Sequence, residues 1–133
     1  MNGALYWIYV SGTAFELWRS DGTEAGTYQI PAPVDVNLTN EQQCVPHPII
    51  VASNRLFFAA PDSAHGLELW TSDGTSIGTH ILADLKPGSA SSYPTSFAVV
   101  GTMLFFDADD GVRGRELWAY SLTPRHRAVK KAP

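Results

Sequence analysis

Short runs of apolar residues separated by turn-forming residues dominate the chain. In its middle part these runs cover Leu56–Ala60, Leu67–Thr71, Thr79–Ala83 and Ser96–Val100, and Gly, Pro, Asn, Asp or Ser lies between them. No segment shows the 3.6-residue period of an amphipathic helix, and each run is shorter than the roughly 10 residues of an ordinary helix. The pattern predicts an all-β chain of short antiparallel strands.

The apolar runs also lack polar alternates, as in Leu56–Ala60. A strand with one face in water alternates between apolar and polar residues, whereas a strand buried on both faces does not. Radial arrays of four-stranded sheets have this property because each sheet packs between two neighbours. We therefore expect antiparallel four-stranded blade repeats in a partial β-propeller.

Turn chemistry sets the expected connections. The Asp21-Gly22 and Asp73-Gly74 pairs provide the positive φ of a tight hairpin, so the strands on either side of each pair are predicted to be antiparallel neighbours. The short links at Ser53-Asn54 and Gly101-Thr102 also fit hairpins. The longest connection, from Lys86 to Pro94, is predicted to cross from one sheet to the next.

One sequence motif occurs three times at intervals of about 50 residues. The triplet Glu-Leu-Trp begins at Glu16, Glu68 and Glu116, and the first two copies continue into Ser-Asp-Gly-Thr. The recurring positions are predicted to be structural. They are Glu16, Leu17, Trp18, Asp21, Gly22, Thr23, Glu68, Leu69, Trp70, Asp73, Gly74, Thr75, Glu116, Leu117 and Trp118.

These copies predict about two and a half blades. Residues 1–48 form a first blade that lacks its N-terminal strand, and residues 49–95 form a complete blade with its crossover. Residues 96–123 form a partial third blade, and the basic residues 124–133 form a disordered tail. Because the first copy begins at the second strand of a blade, we expect the chain to be the C-terminal piece of a longer protein. Its exposed blade faces should favour self-association.

Charge and composition exclude several function classes. The net charge of −4 and the scarcity of cations before the tail argue against a nucleic-acid surface. No apolar stretch approaches the roughly 20 residues of a membrane span, so no membrane insertion is expected. The histidines occupy no recurring position and no serine lies in a nucleophile elbow. The chain is therefore expected to be noncatalytic and to need no cofactor.

Two groups of acids are candidate ligands. Asp107, Asp109, Asp110 and Glu116 lie in one hairpin and have the carboxylate oxygens that calcium prefers. Their spacing is not that of an EF-hand loop, so a turn with incidental acids is the favoured interpretation. The recurring glutamates lie inside strands, where an unpaired carboxylate is costly to bury. A hydrogen bond or ion pair that holds each blade together is favoured for them, and a ring of metal or ligand groups is the alternative.

The chain resembles the bacterial ELWxxDGT repeat family. The resemblance is carried by ELWTSDGTSIGTHILADLKPG (Glu68 to Gly88), then by Pro94, and then by LFFDADDGVRGRELW (Leu104 to Trp118). It implies an extracellular or cell-surface protein with a propeller-like fold and no assigned chemistry. The first copy departs from the family pattern between residues 31 and 46.

Two functions remain open at this point. The first is a noncatalytic structural or interaction module of a bacterial surface or secreted repeat protein, with an unidentified protein partner. The alternative is a glycan-binding propeller lectin in which Tyr28, Tyr93 or Tyr120 stacks on sugar rings. These tyrosines do not occupy matching positions in the copies.

Overall fold

The computed structural model describes residues 1, 3–12, 14–32, 47–123 and 129–132. Over these ranges the chain is all-β, as predicted, and its strands form three antiparallel sheets. No helix in this part of the chain could cross a membrane.

The first sheet consists of β1 (Leu5–Ser11), β2 (Ala14–Ser20) and β3 (Tyr28–Ile30). The second consists of β4 (Ile49–Ala52), β5 (Arg55–Asp62), β6 (Gly66–Ser72) and β7 (His80–Ala83). The third consists of β8 (Thr95–Val100), β9 (Met103–Asp109), β10 (Arg115–Ser121) and β11 (Val129–Lys131).

The hairpins follow the predicted turn chemistry. Ser53 and Asn54 both have positive φ, 47° and 57°, and they join β4 to β5 in a two-residue turn. Gly22 and Gly74 also have positive φ, 91° and 93°, and the strands around them pair antiparallel as expected. These two connections are longer than tight hairpins, because the Asp-Gly pair opens a loop that continues through a second Gly-Thr pair.

The second sheet lies between the other two. Phe57 and Phe58 are neighbours in β5, so their side chains point to opposite faces. Phe58 belongs to the core shared with the first sheet, and Phe57 belongs to the core shared with the third. Every residue of β6 is buried. Burial on both faces explains why the run Leu56–Ala60 of β5 has no polar alternates.

Each of the two cores joins a pair of sheets. The first contains Phe15, Leu17, Ile30, Leu56, Phe58, Ala60 and Trp70. The second contains Ala52, Phe57, Leu69, Leu104, Phe106, Ala108, Tyr120 and Leu122. The sheets therefore stack in chain order.

The C-terminal end differs from the expectation of a disordered tail over residues 124–133. Residues 129–131 form β11, which pairs with β10 and gives the third sheet four strands rather than three. The half-buried Val129 packs against the second core, and the Ala132 amide donates to the Leu117 carbonyl at 2.9 Å. The unpaired backbone of β10 explains the difference, because it favours an added strand whatever the charge of that strand. Residues 124–128 and the expected crossover of the first copy, over 33–46, lie outside the described residues.

Candidate functional site

A groove lies on the face of the first sheet that points away from the second sheet. It has a volume of about 270 Å³ and is lined by Trp7, Tyr9, Glu16, Trp18 and Thr27. The alternation of side chains along β1 and β2 creates it. One face of these strands packs into the core, and the other presents the groove residues to solvent.

Strand register holds the groove residues together. Trp7 of β1 lies directly opposite Trp18 of β2, and their rings are nearly parallel, with centroids 6.0 Å apart and planes 16° apart. Tyr9 lies opposite Glu16 and is 51% exposed. The Trp18 Nε1 donates a hydrogen bond of 2.7 Å to the Glu16 Oε2, which fixes the carboxylate beside the indole. The groove thus combines two indoles, a phenol and a carboxylate.

The sequence predicted exposed blade faces but not this groove, because it did not show which face of β1 and β2 would meet the second sheet. In the other two sheets the residues at the matching positions are fully buried between sheets. They are Phe58 and Ala60 in β5, which lie opposite Trp70 and Glu68, and Phe106 and Ala108 in β9, which lie opposite Trp118 and Glu116. The available signal was Tyr9, a large amphipathic residue where both other copies have alanine.

The fully buried Glu68 of β6 holds the crossover between the second and third sheets. Its carboxylate accepts hydrogen bonds from the Leu85 amide at 2.9 Å, the Ser92 amide at 2.9 Å and the Ser92 hydroxyl at 2.6 Å. A hydrogen bond or ion pair within each blade is the favoured expectation for this recurring glutamate, and Glu68 makes hydrogen bonds to the crossover. Leu85 and Ser92 lie near the two ends of the crossover, so one side chain fixes both ends.

The three recurring glutamates do not make the same contact, contrary to the expectation of one repeated interaction. Glu16 pairs with the Trp18 indole, whereas the Glu116 Oε1 accepts a hydrogen bond from the Lys131 Nζ. The Glu116 Oε2 is buried and has no hydrogen-bond partner among the described residues. The difference follows from the neighbours, because Glu116 faces the added strand β11 rather than a crossover. Each glutamate belongs to a different sheet.

The stability of the fold should fall as pH rises from about 5 to about 8. Burial raises the pKa of Glu68 from its ordinary value of 4.5 to about 7, and the nearby Asp84 acts in the same direction. An acid whose pKa is raised by folding stabilises the folded state fully below its unfolded pKa, and this contribution is lost as pH rises through the folded pKa. The hydrogen bond to Asp62 raises the pKa of His65, so the stability that protonated His65 contributes is also lost as pH rises.

Urea unfolding at a series of pH values measures this effect. Each unit of pKa difference is worth about 1.4 kcal/mol, so the loss should amount to a few kcal/mol at most. A glutamine at position 68 does not titrate. The unfolding free energy of Glu68→Gln should therefore fall less steeply with pH than that of the wild type, with the contribution of His65 remaining. An unchanged pH profile in this variant would contradict the assignment to Glu68.

The two Ser-Asp-Gly-Thr segments fold into the same loop. In each, the aspartate Oδ1 accepts hydrogen bonds from the amide and hydroxyl of the threonine two residues later, at 3.1 and 2.7 Å from Asp21 and at 3.0 and 2.7 Å from Asp73. The Thr75 hydroxyl lowers the pKa of Asp73. An arginine closes each loop by donating to a glycine carbonyl, Arg19 of β2 to Gly26 and Arg55 of β5 to Gly78. These polar groups serve the loop itself, which supports a structural role for the motif.

The four candidate calcium ligands do not converge on one point. Asp107 pairs with Arg115 at 2.7 Å, and Asp109 pairs with Lys86 at 3.0 Å. The Asp110 Oδ1 accepts a hydrogen bond from the Val112 amide, and Glu116 pairs with Lys131 as described above. Within the described ranges, no three His, Cys, Asp or Glu side chains come together as a metal site.

The tyrosines proposed to stack on sugars do not form a common surface. Tyr120 is only 5% exposed and packs against Phe57 with ring centroids 5.6 Å apart, so its ring is not available to a ligand. Tyr28 is exposed, but Arg19 lies over its ring at 5.4 Å. Stacking on a sugar requires an exposed Tyr120 ring. The sequence does not show which face of β10 meets the second sheet, and Tyr120 lies on that buried face.

No family model, curated protein or solved structure compared with the chain matches it. Function is therefore inferred from the groove and from the contacts that the other polar residues make.

Proposed function

We propose that the chain is a noncatalytic interaction module that binds its partner through the outward face of the first sheet. The observation that supports this most is the groove formed by Trp7, Tyr9, Glu16 and Trp18. Tryptophan and tyrosine are common at binding surfaces because they combine a large apolar area with a polar tip. Three of these residues together on a solvent-facing sheet are costly unless they bind something.

The outward face of the third sheet supports the choice of the first sheet as the binding side. There the alternation of β9 and β10 places Asp107, Arg115 and the exposed Leu117 on the face opposite the second core. Asp107 and Arg115 form an ion pair, and Asp107 also accepts a hydrogen bond from Thr95. The half-buried Phe105 lies on this face too, but the ion pair has no counterpart among the described residues that line the groove, so the two ends of the stack differ in chemistry.

We propose further that the three stacked sheets are blades of a partial propeller of the ELWxxDGT type. The recurring motif, the loop that two copies share and the burial of the second sheet on both faces support this. The same resemblance supports a role outside the cell, either secreted or at the bacterial surface.

Adsorption to cells tests the proposed function. The fluorescently labelled chain is incubated with a panel of Gram-positive and Gram-negative bacterial cells, and bound label is measured against protein concentration. We expect saturable binding to at least one cell type, weakened about tenfold or more by Trp7→Ser.

Leu117→Ser provides the matched control, because it removes an exposed apolar side chain from the opposite end of the stack. It should leave adsorption unchanged, and circular dichroism should show that both variants remain folded. Absence of saturable adsorption by the wild type, or equal loss in the two variants, would argue against the proposal.

A further inference from the structure

We infer that the groove of the first sheet is a carbohydrate subsite. Trp7 and Trp18 stack on each other, the pair offers an outer indole face to the apolar face of a sugar ring, and Glu16 accepts hydrogen bonds from the sugar hydroxyl groups. This inference rests on the proposed function and names the class of ligand for the same surface.

The outward face of the first sheet differs in shape from the matching faces of the other two sheets. Where the matching faces of the second and third sheets pack on a neighbouring sheet, the position of Tyr9 holds the small and fully buried Ala60 or Ala108. A small residue allows two sheets to approach closely, whereas the exposed Tyr9 ring occupies that space. The first sheet therefore presents a walled groove to a ligand and not a flat face to another sheet.

The size of the groove and the arrangement of its indole rings limit the kind of ligand that fits. Its volume of about 270 Å³ is near the lower end for small-molecule sites, roughly 300 Å³, and suits one ring-sized unit. The planes of Trp7 and Trp18 differ by only 16°. Because the two rings stack on each other, they present one outer face, which suits a flat ligand, whereas a compact organic cation is best enclosed by rings that face it from several sides.

The polar groups of the groove also favour a sugar. Among the described residues that line the groove, Glu16 is the one that carries a charge, so phosphate-bearing ligands are repelled. Its Oε2 is held by the Trp18 Nε1, and its Oε1 makes no hydrogen bond with any other described residue. A carboxylate oxygen fixed in this way accepts strong hydrogen bonds from hydroxyl groups. Aromatic rings beside a fixed acceptor match a sugar, which has apolar C–H faces and a rim of hydroxyls.

The test uses the intact chain and defined probes. Immobilised chitooligosaccharides, xylan, mixed-linkage β-glucan and peptidoglycan fragments are screened first, and hits are titrated by calorimetry with the soluble glycan. We expect binding of at least one glycan, weakened about tenfold or more in Trp7→Ser and in Glu16→Gln and unchanged in Leu117→Ser. Glu16→Gln keeps the side-chain shape, so it remains informative if the tryptophan variant does not fold.

Several results would overturn the inference. Titratable binding of choline chloride with no glycan bound would assign the groove to organic cations. Self-association in sedimentation velocity that is lost in Tyr9→Ser, with no glycan bound, would assign it to a second copy. Saturable adsorption to cells that depends on Trp7, again with no glycan bound, would overturn the carbohydrate assignment and leave the proposed function standing. Failure of both adsorption and glycan binding would remove both.

Discussion

Replacement of Glu68 by alanine is expected to lower the free energy of unfolding by roughly 3–5 kcal/mol, because each buried donor left without a partner costs about 1–3 kcal/mol. The variant orphans the amides of Leu85 and Ser92 and the Ser92 hydroxyl. Urea unfolding at about pH 5 measures the loss. Glu68→Gln keeps one acceptor oxygen and should lose about half as much.

Two comparisons make this prediction specific to the crossover. Glu24→Ala removes an exposed carboxylate from the loop between β2 and β3 and should change stability by less than about 0.5 kcal/mol. Added calcium should not alter the difference in unfolding free energy between the wild type and Glu68→Ala. In the wild type, the Glu68 carboxylate already accepts hydrogen bonds from the Leu85 and Ser92 amides and from the Ser92 hydroxyl. A Glu68→Ala variant within about 1 kcal/mol of wild type, or a loss that appears only with calcium, would refute the role given to Glu68.

Gly78→Ala is expected to lower the free energy of unfolding by roughly 2 kcal/mol, because it disrupts the hydrogen bonds of the loop between β6 and β7. A methyl group at Gly78 would lie 1.9 Å from the Asp73 Oδ1, so the aspartate must leave its position. It then loses its hydrogen bonds to the Thr75 amide and hydroxyl. Ile77→Ala is the control in the same loop, because Ile77 is 98% exposed and should be neutral.

A double-mutant cycle identifies the cause of this loss. If the alanine methyl acts by displacing Asp73, then Gly78→Ala should cost much less when Asp73 is already alanine. Additive losses in the double variant would place the effect elsewhere in the backbone. Gly26 and Asp21 have the same 1.9 Å relation in the first sheet, so Gly26→Ala should behave in the same way.

Local chemistry made the strands and hairpins predictable. Ser53-Asn54 and the Asp-Gly pairs favour turns with positive φ, and Ser53, Asn54 and the glycines of these pairs adopt positive φ in the folded chain. The need of buried Glu68 for a partner was also predictable, because it follows from the cost of burying a carboxylate. Its actual partners, Leu85 and Ser92, were not predictable, because their amides reach it only through the path of an irregular crossover.

The groove lay beyond sequence reasoning for a different reason. Trp7 and Phe58 are equivalent in the motif and similar in chemistry, yet Phe58 is core and Trp7 lines a surface. The difference arises from the neighbouring sheet and not from the residue itself. The same limit applies to β11, since a basic segment gives no signal that the edge of β10 is available for pairing.

Ser92 connects two sheets through its own backbone. Its amide donates to the Leu67 carbonyl and the Glu68 carboxylate of the second sheet, while its carbonyl accepts from the Asp109 amide of the third, at 2.9 Å. Detaching either sheet from this residue leaves buried polar groups unpaired on both sides. The second and third sheets should therefore act as one cooperative unfolding unit, with the amide of Ser92 among the slowest to exchange with deuterium.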